Sequence, residues 1–127
     1  MDSVTLEEIA RYRSALAEND AAMEALDILE DCEGDLEDAA ITLALQAGQE
    51  PDTSDQWLEG FAKRWRAVLC TSDVRGLLDE SSLGRGVQSF SREAGIPGGL
   101  ASLVAIYVLK FGVEPFCKPL EEKLDRV

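Results

Sequence analysis

The chain contains no histidine. That removes the commonest general base, the side chain that titrates near neutral pH, and the usual nitrogen ligand of zinc. Aromatic residues are sparse at 6%, and there are three cysteines, Cys32, Cys70 and Cys117, with no C-x-x-C pair. An odd, scattered set of this kind is expected to be free thiols in a reducing compartment. A catalytic thiolate would lack the neighbouring imidazole that lowers its pKa. Three distant thiols without histidine also make a poor metal site, so no cofactor is implied. Residues 1–4 lack the cationic start of a signal peptide and no apolar run follows them, so a cytoplasmic location is expected.

What is present is acid and aliphatic carbon. The 127 residues are 46% hydrophobic and 29% charged, with a formal net charge of −13. That is the size of one domain and the composition of a globular chain. The charge is uneven. Residues 1–60 hold seventeen acids against Arg11 and Arg13, a net of −15, whereas residues 61–127 carry a net of +2. A negative total of this size argues against a large duplex-DNA or anionic-membrane footprint, since both need a basic surface. The acids are interleaved with Ile9, Leu16, Leu26, Leu29, Leu36 and Leu43. The acidic half is therefore expected to fold, because acidic tails are poor in apolar residues.

Helix signals are dense and strand signals few. Thr5 and Glu8 have capping-box spacing, with Val4 and Ile9 at the staple positions. Asn19 caps a second helix carrying Met23, Leu26 and Leu29, which Gly34 ends. Asp35 caps a third, carrying Leu36, Ala39, Ala40 and Leu43 and stopped by Gly48 and Pro51. Residues 47–54 read as a linker, and Thr53 with Gln56 makes another capping box before a helix with Trp57, Phe61, Trp65 and Val68 on one face. Val74, Leu77 and Leu78 follow a short turn, and a helix through Leu83, Val87 and Phe90 ends at Gly95. Residues 100–111 are apolar all round, the pattern of a buried helix. The uncharged stretch around them, 94–109, is 16 residues with Gly95, Pro97, Gly98 and Gly99 inside it. A membrane span needs about 20 apolar residues. A last short helix is expected from Pro115 with Phe116, Leu120 and Leu124. The pattern predicts an all-α fold: a small acidic three-helix subdomain (1–47) and a helical bundle (53–127) around one fully apolar helix, with the two able to pack as one domain.

The pairs Ala25-Leu26 and Gly34-Asp35, then Glu37, Ala39 or Ala40, and Leu43 carry a resemblance. Residues 5–46 resemble ubiquitin-associated (UBA)-like three-helix domains, including the form at the N-terminus of bacterial elongation factor Ts. The family's Gly-containing loop between its first two helices is replaced here by Ala17-Glu18-Asn19-Asp20. The resemblance implies a compact protein-interaction fold without the loop that helps some relatives hold ubiquitin. The whole chain is also similar to small cyanobacterial proteins, which implies no activity.

Two charged runs are candidate interaction surfaces. Glu30, Asp31, Glu33 and Asp35 crowd one turn with Glu37 and Asp38. Hard oxygen ligands of this density suit Ca²⁺ or Mg²⁺, but aligning Gly34 with the EF-hand glycine puts Leu29 at the first ligand position. The plainer reading makes Asp35 a cap and sets Glu37 and Asp38 against the positive helix N-terminus. Lys63, Arg64 and Arg66 flank Trp65 in the most basic run. They can form an anion-binding patch, or Trp65 can face the core while the cations are solvated or pair with the acidic half. Trp57, Phe61, Tyr107 and Phe111 are candidates for core or for a homodimer interface. Gly84-Arg85-Gly86 lacks the further glycine and preceding strand of a nucleotide-binding motif, and Ser81, Ser82, Ser89 and Ser91 have no histidine to activate them. The expectation is a non-catalytic protein–protein interaction or regulatory adaptor with a protein partner and no duplex nucleic acid. Membrane contact through the 100–111 helix is the less favoured alternative.

Overall fold

A computed structural model describes residues 3–46, 48 and 57–125. Among the described residues there are nine helices: α1 (Leu6–Ala15), α2 (Asp20–Asp31), α3 (Leu36–Gln46), α4 (Trp57–Arg64), α5 (Arg66–Leu69), α6 (Ser72–Arg75), α7 (Leu83–Ala94), α8 (Gly98–Phe111) and α9 (Val113–Asp125). No strand occurs among them, only one isolated antiparallel bridge between Ser3 and Asp35. The fold is all-α.

The caps sit where the sequence puts them. At α1 the Glu8 N–H donates to the Thr5 hydroxyl at 3.1 Å, and the Thr5 N–H donates to the Glu8 carboxylate at 3.0 Å. Val4 and Ile9, the staple pair, are both buried. The Ala22 N–H donates to Asn19 Oδ1 at α2, and the Asp38 N–H to Asp35 Oδ1 at α3. Between α2 and α3 the chain reverses through two left-handed residues, Glu33 at φ 57° and Gly34 at φ 83°. The Gly34 carbonyl then accepts from the Val4 N–H at 2.8 Å. A Cβ on Gly34 would lie 2.1 Å from the Val4 carbonyl oxygen, so this glycine is needed for close approach as well as for φ. The segment before α1 is thereby pinned to the α2–α3 turn.

Residues 99–108 of α8 are all buried. Around α8 pack α2, α3, α4, α7 and α9, so helices from both sides of the 47–56 stretch share one hydrophobic cluster. Where α8 meets α2, an added Cβ on Gly99 would stand 3.3 Å from the Ala21 carbonyl oxygen and 3.6 Å from Ala25 Cβ. Small residues on both helices let their backbones approach closely there. The buried Ser102 hydroxyl donates to the Gly98 carbonyl at 2.8 Å within the same helix. Between α7 and α8 the chain bends by 118°, and no single helix among the described residues is long and apolar enough to cross a membrane.

Three local expectations are corrected. The helix from Trp57 does not run through Val68: α4 ends at Arg64, Trp65 leaves helical geometry at φ −98°, ψ 12°, and α5 follows. Leu58, Phe61, Ala62 and Leu69 are buried while Trp57, Trp65 and Val68 are half-buried. The last helix starts at Val113 instead of Pro115, which sits in the first turn where a missing N–H costs nothing. Third, Cys70 and Cys117 are not free thiols: they form a disulfide with Cα atoms 5.7 Å apart across 47 residues of sequence. Odd number and wide spacing mislead here because α5 and α9, distant in sequence, pack together. The Thr53/Gln56 capping box and the side chain of Leu124 lie outside the described residues.

Candidate functional site

The α2–α3 turn raises four carboxylates to the surface. Glu30, Asp31, Glu33 and Asp35 are all exposed. Local backbone geometry dictates this. Asp31 closes the last turn of α2, Glu33 occupies the left-handed position, and Asp35 is drawn back only far enough to cap α3. The neighbouring cation is Arg13 of α1, whose guanidinium holds Asp27 at 2.8 Å and Glu30 at 3.2 Å. Among the described residues Asp31 and Glu33 make no ion pair, and no cluster of three or more carboxylates or thiols is arranged to hold a metal ion. The remaining thiol, Cys32, is half-buried beside this turn. Burial, and then the carboxylate of Asp38, pushes it above the ordinary thiol value.

One acid of the run points the other way. Glu37 is buried at 6% exposure, and its carboxylate accepts the N–H of Leu58 at 2.6 Å and of Glu59 at 3.0 Å. A side chain expected to act on its own helix therefore also fixes the first turn of α4. Carboxylates favour the positive end of a helix, and here the helix is one brought up by tertiary packing.

The basic run spans the α4–α5 break, and each of its cations has a partner of its own. Lys63 pairs with Glu59 one turn back at 3.6 Å. The Arg64 guanidinium lies 5.7 Å from the Phe61 ring centroid, and that of Arg66 lies 4.8 Å above Phe116. Trp65 Nε1 and Arg66 Nε are buried without a hydrogen-bond partner among the described residues. Acid and base from the two ends of the chain meet elsewhere: Arg11 holds Glu80 at 2.9 Å, and Lys110 holds Glu8 at 2.9 Å.

The four aromatic candidates separate. Phe61 and Tyr107 are core, and the Tyr107 hydroxyl donates to Glu59 at 3.4 Å. Trp57 is half-buried with its ring 5.1 Å from that of Phe61. Only Phe111 is exposed, at 51%, bridging the rings of Tyr107 and Phe116 at 6.1 and 6.5 Å. A polar cleft of about 730 Å³ lies where the α1–α2 turn faces the start of α7, lined among others by Asn19, Asp20, Ser82 and Arg85. Its acids and its arginine are spread along two separate elements, and no spacing in the sequence marks them as neighbours.

The chain matches no family model, no curated protein and no solved structure.

Proposed function

We propose that this chain is a non-catalytic protein-interaction module whose acidic α2–α3 turn docks a basic segment of a partner protein. The observation that carries the reading is the exposed, ion-pair-free state of Asp31 and Glu33 on a turn pinned by the Val4–Gly34 hydrogen bond, beside an Arg13 already committed to Asp27 and Glu30. Fixed like charges on a defined backbone steer a cationic partner and set its register. The UBA-like pattern of residues 5–46 supports the same class of role. Lack of histidine and a thiol pushed upward both weigh against catalysis. Burial of residues 99–108 among the other helices favours a core role for α8 over the peripheral-membrane alternative.

The test compares capture of a partner from source lysate by the intact chain, by Asp31→Lys/Glu33→Lys, and by Glu18→Lys/Glu24→Lys. The control pair removes the same charge from exposed positions off the turn. Capture lost only with the first pair, and weakened by salt in the unmodified chain, is expected. Equal loss with both pairs means that only bulk charge matters, and equal capture by all three chains removes the turn from the interface. Co-sedimentation of the intact chain with anionic liposomes would restore the membrane alternative.

A further inference from the structure

We infer that the Cys70–Cys117 disulfide is a redox-cleavable strap that holds α9 on the body of the protein, independently of the proposed acidic docking turn. Helix α9 packs chiefly on α8 and α5. Apart from the disulfide, its described attachments are Phe116, buried in the core between Phe111 and the Arg66 guanidinium, Val113 packed against the same core, and an ion pair between Arg75 and Glu121 at the surface. The helix itself is weak. It leaves α8 through Gly112 at φ 108°, and Pro119 inside it cannot donate to the carbonyl of Pro115. A covalent link from α5 to the middle of such a helix determines whether it stays docked.

The two cysteines differ in burial. Cys117 is fully buried, whereas Cys70 is half-buried at the C-cap of α5. Cys70 is therefore the side from which a reductant of the dithiol class reaches the bond. A thiolate of the dithiol attacks the Cys70 sulfur, forming a mixed disulfide, and Cys117 leaves as a thiolate that takes a proton from water. The second thiol of the reductant then displaces Cys70 as its thiol, and the reductant departs as its own disulfide. The protein gains two thiols, the dithiol loses two hydrogens, and the tether is gone. Release of α9 then uncovers Phe116 next to the already exposed Phe111, and with it the adjoining face of α8.

Alkylation counting and hydrogen exchange on the intact chain, equilibrated in dithiol buffers of stepped potential, test this. The chain purified without reductant should alkylate once, at Cys32, and after reduction three times. Over the same steps the amides of 113–121 should exchange at least tenfold faster, while those of α2 and the centre of α8 stay protected and reoxidation restores the original pattern. Cys70→Ser should show the fast exchange without reductant; should that variant not fold, the stepped reduction of the unmodified chain decides. Three alkylations before reduction, unchanged protection of α9 after it, or loss of protection everywhere at once would each overturn the inference.

Discussion

Gly34 and Glu37, three residues apart, show how much of this fold rests on single atoms. At Gly34 an alanine would combine a left-handed backbone, costing about 1–2 kcal/mol, with a Cβ 2.1 Å from the Val4 carbonyl oxygen. Relief requires moving Val4 and losing its N–H bond to Gly34, about 1 kcal/mol more. Gly34→Ala should therefore destabilise the protein by roughly 2–4 kcal/mol in urea unfolding; a cost below ~0.5 kcal/mol would show that the turn re-forms freely. At Glu37 the carboxylate serves two N–H groups of α4, Leu58 and Glu59. Glu37→Ala leaves them without this acceptor and should cost about 2–3 kcal/mol, with Glu37→Gln recovering part through its remaining oxygen. The decisive readout is exchange at Leu58 and Glu59, which must speed up in Glu37→Ala more than amides of α7 do.

At the scale of elements, the caps were legible and the junctions were not. Thr5, Asn19, Asp35 and Gly95 act within four residues of their partners, so local sequence contains the whole interaction. The Cys70–Cys117 link arises from packing between α5 and α9, and no local spacing encodes it or the break at Trp65. The acidic turn was legible for the same local reason, whereas the placement of Arg66 over Phe116 depends on packing between α5 and α9. Helix α1 gives a pH test. Its Glu8 carboxyl is held below the ordinary 4.5, first by the Thr5 N–H and then by Lys110. A lowered folded pKa contributes stability that is complete above 4.5 and disappears as pH falls through the folded value. Glu8→Gln should therefore be less stable than the parent at pH 7, and the difference should close on acidification below 4.5. A gap between the two urea midpoints that stays constant down to pH ~2 would mean that Glu8 acts through packing and not through its charge.

At the scale of the molecule, the uneven charge sets a conflict between local pairing and general repulsion. Residues 1–60 hold a net of −15 and share a core with the slightly basic remainder. Some contacts relieve this: Lys110 reaches Glu8, and Arg13 holds Asp27 and Glu30. Ion pairs at the protein surface each contribute only about 0–1 kcal/mol. The repulsion has no such ceiling, because each unpaired carboxylate acts on every other within a Debye length of about 8 Å at physiological ionic strength. Repulsion should dominate, so raising sodium chloride from about 20 mM to about 0.5 M should move the urea midpoint upward. Chloride is the suitable anion, since sulfate strengthens apolar burial by itself. Charge reversal at Asp31 and Glu33 provides the internal comparison: with two acids converted, the same salt step should raise the midpoint less. If the midpoint falls with salt, the pairs Arg11–Glu80 and Lys110–Glu8 outweigh the acidic surface, and Arg11→Gln should then remove part of that fall.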